Sequence, residues 1–420
     1  MDRRPRTPRS QAQLAIAVTA ALGFVAGLLT VHYSKQRVSD PLATQARLLS
    51  ERDALLDKVK AWNKRATELD ASLPSLPALQ LESSPVSTSS ASSCAVCDPE
   101  DSEAKFRMRP KAEVARENPE LVSLLAKHAI NNEIMLTLAN GIMICKNTTI
   151  CWWNGGNILE SFLTILSRAK ITNYLIGVMD DETEQYLKGR DVNYFRVNIP
   201  VPKVQAKSHP ANQVSTIKYT LLKTLLQLGV NTLITDMDLV YISNPFDHLH
   251  RDADIEVQTD GFDDMAYGQL ESVHDPSMGW GGGGLYFHTF TTNVGCMWVK
   301  ANARSFKLMA QVSDHLSQQQ GWDQQIFNEY LMRPSHGDFQ NAYAHLRVMD
   351  YTLFMNSKIF FRSRRTEYIP GATSKAPTPV MVHFNYHPDK HKRMLCIMDR
   401  YLFNNVSACD HMPGGSEPNT

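Results

Sequence analysis

The chain runs to 420 residues, long enough to bury a full core, and its 43% hydrophobic content is that of an ordinary globular protein. Lysine plus arginine and aspartate plus glutamate each number 43, so no basic excess exists to draw in nucleic acid, which is excluded as a partner on electrostatic grounds. The N-terminus is patterned differently from the rest. Residues 14–31 are uncharged and apolar over nearly the thickness of a bilayer core, which predicts a transmembrane signal anchor over 14–32. Arg3, Arg4, Arg6 and Arg9 precede it against Lys35 and Arg37 after it. Residues 1–13 therefore read as a cytosolic tail and the remainder as lumenal, a single-pass type II arrangement. A cleaved signal peptide is the rival, because Ala15, Ala17 and Ala26 imitate a cleavage site; the length of the apolar run favours the anchor.

Residues 33–116 read as a stem. Leu48, Leu55, Val59, Trp62, Ala66 and Leu69 recur at heptad spacings with Arg52 in one seam position, as in a short coiled coil that would pair two copies of the chain. A lone solvated helix fits these residues equally well. Residues 73–93, rich in serine and proline, cannot bury enough apolar surface to order themselves and read as a flexible spacer. Cys94 and Cys97 lie in that spacer without a second pair to complete a zinc site. The other cysteines are scattered; Cys145 with Cys151, or Cys396 with Cys409, could close short loops in an oxidising lumen. Sequons at Asn147 and Asn405 agree with lumenal exposure.

A globular domain is expected over 117–403, with residues 404–420 as a C-terminal tail. Its pattern predicts a helix over 121–128, a strand over 133–138, a helix over 158–169 and a strand over 174–179. A third strand over 192–197 and an amphipathic helix over 214–228 lead into an apolar run at 230–234. Strand and helix thus alternate, as a parallel α/β sheet with crossover helices requires. Beyond this the pattern becomes irregular, with a glycine run at 281–284, and reads as a lobe made largely of loops before a helix over 306–318.

The apolar run at 230–234 ends in Thr235-Asp236-Met237-Asp238. On a strand, Asp236 and Asp238 would face the same way while Met237 packs behind them. Two such carboxylates at the mouth of a parallel sheet suit Mn²⁺ or Mg²⁺, which fill their remaining positions with water and substrate phosphates. An isolated Asp-x-Asp is also a common turn and cap signal. His383, at the end of an apolar strand, is the first candidate for a third protein ligand and His387 the second, though a strand-end histidine also serves as a plain hydrogen-bonding group. Lys390, Lys392 and Arg393 follow and could neutralise phosphate oxygens, or form a solvated helix face. Asp323 and Gln324 stand at a helix start, where they could face the crevice while Asp323 caps the helix. Lys218 could reach a phosphate or a donor sugar from its amphipathic helix, and Ala139 and Asn140 lie where such sheets contact a base or ribose.

Taken together, Thr235-Asp236-Met237-Asp238, Asn244-Pro245-Phe246, His248-Leu249-His250-Arg251-Asp252, Ser277-Met278-Gly279-Trp280, Trp322-Asp323-Gln324, Phe354-Met355-Asn356-Ser357-Lys358 and the run from His383 to Lys390 resemble a known family. They are similar to the nucleotide-diphospho-sugar transferases of glycosyltransferase family 77, and within it to the plant and green-algal reduced-residual-arabinose arabinosyltransferases. The resemblance covers roughly residues 121–401. It implies a GT-A fold, a Rossmann-like mixed sheet flanked by helices, in a manganese-dependent, retaining transferase of the Golgi membrane. It further implies a UDP-β-L-arabinofuranose donor and, as acceptor, an arabinosylated hydroxyproline of an extensin-like wall glycoprotein. Carried across, Asp236 and Asp238 match the metal motif, Asp323 matches the acidic residue near the sugar, and His383 follows by looser similarity. Asn293-Val294-Gly295 departs from the family's Asn-Ser-Gly and leaves acceptor choice open. Another UDP-sugar such as UDP-xylose or UDP-galactose, or a catalytically inactive lumenal scaffold, would keep the same fold.

Overall fold

The structure is a computed structural model that describes residues 103–144, 147, 156–206, 208, 210–267, 272–273, 284–285 and 292–415. The expected anchor, coiled coil and serine/proline spacer, the Cys94, Cys97, Cys145 and Cys151 sites, and the motif at 277–280 lie outside the described residues. Among the described residues no helix is long and apolar enough to cross a membrane.

Two short helices, α1 (Lys111–Glu117) and α2 (Pro119–His128), lead into β1 (Glu133–Ala139). Then come α3 (Ile158–Arg168), β2 (Tyr174–Val178), α4 (Asp181–Leu187), β3 (Tyr194–Arg196), α5 (Pro210–Gln227), β4 (Asn231–Thr235) and β5 (Leu239–Tyr241). The second half supplies β6 (Ile255–Thr259), β7 (Thr292–Val299), α6 (Ala303–Gln318), α7 (Asp323–Met332) and β8 (Leu346–Val348). It closes with β9 (Phe354–Asn356), β10 (Met381–His383) and α8 (Lys390–Leu402). Helix starts follow local chemistry: the side chains of Asn157, Asp180 and Asn302 accept the N–H groups of Glu160, Thr183 and Ser305, capping α3, α4 and α6.

Seven strands form the central sheet in the order β8-β6-β7-β4-β1-β2-β3. All neighbours are parallel except β7, which runs antiparallel to both β4 and β6. This is the mixed α/β sheet of the expected fold class. The chain winds outward from β1 through β2 to β3 and then returns to place β4 on the other side of β1, so a topological switch falls between β1 and β4. Beside it, β9-β10-β5 make a second, three-stranded sheet. Every residue of β1 and of β7 is buried, which removes the in-out alternation by which a strand is read from sequence. One face of the sheet packs Ile134, Leu136 and Met297 against Leu222, Leu225, Met309 and Phe327 of α5, α6 and α7. The other packs Met135, Leu233 and Trp298 into a core with Phe162 and Ile165 of α3 and Met381 and Val382 of β10.

The reading of the middle as a lobe of loops is therefore corrected for β6 and β7, which are integral to the sheet, and β8 beyond α6 adds its edge. After α8 the chain turns back on the domain: Cys396 and Cys409 are joined by a disulfide, and the guanidinium of Arg393, fully buried, donates to the carbonyls of Pro413 at 3.1 Å and Gly415 at 2.6 Å.

An ion pair between a buried carboxylate and an exposed guanidinium fixes the chain that leaves β5 for β6. Glu133, 5% exposed at the start of β1, accepts both Nε and Nη2 of Arg251, at 2.9 and 2.8 Å, and the indole N–H of Trp298 at 3.1 Å. Arg251→Ala should lower the unfolding free energy by about 2–3 kcal/mol in urea titrations, because it strands Glu133 in the sheet without its counter-ion. Asp252→Ala, which breaks only the exposed pair with Arg347, should leave the midpoint unchanged.

Candidate active site

The strand β4 stops at Thr235, and Asp236-Met237-Asp238 form a bend before β5. The two carboxylates converge because the chain turns over the buried Met237 and not because a strand alternates through them. The bend is pinned from both sides: the Asp236 N–H donates to the carbonyl of Gly295 on β7 at 2.8 Å, and the Phe384 N–H donates to the carbonyl of Asp238 at 2.9 Å. Antiparallel pairing of β10 with β5 sets His383 opposite Leu239, and so beside Asp238. One ligand atom from each of Asp236, Asp238 and His383 lies within 4.8 Å of the others.

Such a set, two carboxylate oxygens and an imidazole nitrogen open on one side, fits a hard divalent cation that keeps positions for other ligands. The imidazole is held for the task. His383 Nδ1 is 3.0 Å from Gln258 Oε1 on β6, which makes Nδ1 the donor and turns Nε2 toward Asp238 Oδ1 at 3.3 Å. His387, the second candidate, is elsewhere. Its Nδ1 is 2.7 Å from Ser357 Oγ, its ring meets that of Phe361 edge-on, and it takes no part in the cluster.

Two lysines face the acids. Lys390, the first residue of α8, places Nζ 2.6 Å from Asp238 Oδ2. Lys218, on α5, sits 2.8 Å from Asp323 Oδ2 and 3.9 Å from Asp236 Oδ1. Burial pushes the Asp238 carboxyl up, but Lys390 and His383 outweigh it and hold the group well below the usual carboxylate range. Burial likewise works against the charge on Lys390, and Asp238 more than restores it. Asp236 is raised, first by loss of water and then by Asp238, with Lys218 opposing. Asp323 does not cap α7: Trp322 is the N-cap residue and no side chain caps that end. Instead Asp323, 4% exposed at the first position of the helix, is the counter-ion of Lys218.

A cavity of about 150 Å³ opens beside these groups, lined among others by Thr137, Asn140, Lys218, Asp236, Asp238 and Lys390. Thr137 Oγ1 and Asn140 Oδ1 are buried there with no hydrogen-bond partner among the described residues, which leaves them to be satisfied by a ligand. Ala139, by contrast, points its side chain into the core and does not line the cavity. Arg393 is also removed from the phosphate-facing set, since its guanidinium is spent on Asp389 and the chain end. Lys392 is exposed.

The sequence pattern missed Asp260, which directly follows β6. Its carboxylate accepts side-chain amides from Asn293, from Asn385 at 2.8 Å and from Gln324 at 2.7 Å, tying β7, the loop after β10 and α7 into one wall of the cleft. The signal was there, an acid at a strand end before Gly261, but it was hidden because β6 carries the buried polar residues Glu256 and Gln258 and does not read as a strand. Gly295 was also undervalued. A Cβ there would lie 2.4 Å from His383 Cε1 and 2.9 Å from Asp236 Oδ2, so only glycine lets β7 pass beneath the acids.

Two outcomes follow from this geometry. Gly295→Ala should fold and yet lose Mn²⁺ affinity at least tenfold by calorimetry, since His383 and Asp236 must both give way. His387 is nearly buried, and burial followed by the charge of Arg393 lowers its pKa to about 4. Its neutral form is the native one, so stability is full above the ordinary histidine value near 6.5 and is lost as pH falls from there through about 4. The loss should approach about 3 kcal/mol and be absent in His387→Gln, as read by denaturant midpoints across that window.

A model of the nucleotide-diphospho-sugar transferase family matches residues 169–395. Among curated proteins, the chain is 38% identical to arabinosyltransferase RRA2 of Arabidopsis thaliana over 306 residues, 71% of this chain and 67% of that protein. It is 35% identical to arabinosyltransferase RRA1 of the same plant over 301 residues, 71% of each chain. Among solved structures, mouse xyloside xylosyltransferase 1 in its apo form is 14% identical with a TM-score of 0.34, covering 60% of this chain and 98% of that one.

Proposed function

This chain belongs to the nucleotide-diphospho-sugar transferase family and is a glycosyltransferase, and on that premise we propose that it uses a UDP-sugar with Mn²⁺ or Mg²⁺ to extend arabinosides of a plant-type wall glycoprotein. The sugar we assign is L-arabinofuranose, from UDP-β-L-arabinofuranose, transferred with retention to hydroxyproline-linked arabinosides of an extensin-like acceptor. Its kinship with arabinosyltransferases supports the sugar. The N-terminal apolar run supports a type II Golgi membrane protein with a lumenal catalytic domain.

The observation that carries the reading is the convergence of Asp236, Asp238 and His383 at the mouth of a cavity that also holds Lys218, Lys390 and the unpartnered Thr137 and Asn140. A bound cation would supply positive charge against the diphosphate of the leaving group. Thr137 and Asn140 stand where the nucleoside enters the switch between β1 and β4, and offer oxygens to its polar edge. Lys390 steadies the negative charge that builds on the departing UDP. Asp323, fixed by Lys218, and Gln324, fixed by Asp260, orient sugar and acceptor hydroxyls on the opposite wall. In a retaining route the acceptor hydroxyl comes in on the face the leaving group vacates, and the departing phosphate can take its proton. No strong protein base is needed.

Asp236→Asn and Asp238→Asn should each cut UDP-sugar turnover about a hundredfold or more while leaving the fold intact by circular dichroism. Near-native rates would remove the cation from the reading. In a hydrolysis screen across UDP-sugars, UDP-β-L-arabinofuranose should be turned over fastest; preference for UDP-xylose or UDP-galactose would replace the sugar assignment, and inertness to all of them would leave a scaffold.

A further inference from the structure

We propose that Lys390, at the edge of the cation site, is an internal counter-ion of Asp238, which it exchanges for the diphosphate when substrate arrives, so that cation and nucleotide each bind weakly alone and tightly together. The proposal rests on the reading of this cleft as a site for a divalent cation and a nucleoside diphosphate.

The argument begins with charge. Three carboxylates, Asp236, Asp238 and Asp323, meet two ammonium groups, Lys218 and Lys390, in one cluster of ion pairs. That cluster alone therefore carries one surplus negative charge. A divalent cation entering by itself turns that into one surplus positive charge, pressed against two lysines that cannot leave the cavity wall. A nucleoside diphosphate, with two negative charges as its sugar ester and about three as free UDP, deepens the negative surplus when it enters by itself. With the cation present most of that added charge is cancelled. In a cleft of low effective dielectric, where unit charges a few ångströms apart interact by several kcal/mol, that cancellation favours joint occupancy over either partial state.

Geometry says which lysine moves. Lys218 is 7% exposed and fixed between Asp323 at 2.8 Å and Asp236 at 3.9 Å, so shifting it would leave Asp323 buried without its partner. Lys390 is 22% exposed, lines the cavity from the first residue of α8, and has Asp238 as its one carboxylate contact among the described residues. It holds Asp238 Oδ2 at 2.6 Å, while the other oxygen, Oδ1, lies 3.3 Å from His383 Nε2 on the side where the candidate ligands converge. A cation bound to Oδ1 of Asp238 at the usual oxygen distance of about 2.1 Å would share that carboxylate with the ammonium on Oδ2 and be repelled by it. The flexible four-carbon stem of Lys390 lets Nζ withdraw into the cavity, where a diphosphate would receive it. The same contact that weakens the lone cation thus becomes an attraction once the nucleotide is present.

Calorimetry on the full chain tests this with Mn²⁺ alone, UDP alone, and each in the presence of the other. The wild type should bind each at least tenfold more tightly when the other is present, and by the same factor in both directions, as linkage demands. In Lys390→Met, Mn²⁺ alone should bind about tenfold more tightly, UDP with Mn²⁺ at least tenfold more weakly, and the coupling should fall below threefold. Lys390→Gln should behave in the same sense. A merely structural role for Lys390 would weaken both ligands together. Equal wild-type Mn²⁺ affinity with and without UDP overturns the proposal, as does weaker or unchanged Mn²⁺ binding in either variant that folds. Tighter Mn²⁺ binding in Lys390→Met, with no UDP-sugar turned over by the wild type, would uphold the counter-ion and remove the transferase reading. Binding of neither Mn²⁺ nor UDP by any form would end both.

Discussion

Asp238 is held by the ammonium of Lys390 at one oxygen and faces the imidazole of His383 with the other, and much of the molecule is arranged so that this meeting can exist. Lys390 comes from the start of α8, His383 from the end of β10, and Asp238 from the bend between β4 and β5. Burying a carboxylate in this way costs several kcal/mol unless it is paired. The second sheet provides the pairing: β10 lies antiparallel to β5 in a register that puts His383 against Leu239. Without that small sheet the acids would be two solvated residues in a turn.

Around this contact the cleft has two walls of different character. The β1 and β4 side carries Thr137, Asn140 and the cavity, with buried oxygens that no group among the described residues satisfies. The opposite side is tied together by Asp260, which gathers amides from Asn293, Asn385 and Gln324. A wall of unmet oxygens suits recognition of a ligand, whereas a wall of satisfied amides suits rigid placement of Gln324 and its neighbour Asp323. Gly295 lies between them, and its missing side chain is what allows β7 to run beneath the acids without pushing His383 aside.

The alternation of strands and helices through the first half was legible apart from α4, because the strands there are short and apolar and α3 and α5 are amphipathic, whereas the acidic α4 carries too few apolar residues to show a helical stripe. The second half was not. β7 is buried along its whole length and contains Gly295, and β6 buries Glu256 and Gln258, so neither carries the pattern by which strands announce themselves. Their polar residues are satisfied inside the fold: Glu256 accepts the backbone N–H groups of His250 and Arg251 in the turn before the strand, and Gln258 meets the distant His383. Asp260 was overlooked for the same reason, since an acid after an unrecognised strand looks like any turn residue. His387 and Arg393 were overvalued because nearness in sequence to His383 and Lys390 suggested nearness in space. Helix and turn geometry carries them instead toward Ser357 and the chain end.

By itself the sequence determined the composition of the site: an Asp-x-Asp after an apolar run, a strand-end histidine, a lysine seven residues beyond it, and an acid beside an amide at a helix start. Side-chain chemistry is local, and these residue types declare what they can bind wherever they sit. Which oxygens and nitrogens meet is not local. The tertiary structure decided that Asp323 answers Lys218 instead of capping its helix, that Ala139 turns to the core while Thr137 and Asn140 line the cavity, and that Lys390 closes on Asp238. Those choices depend on strand order, register and the crossing of β7 beneath the bend, which are fixed only when distant segments bury one another.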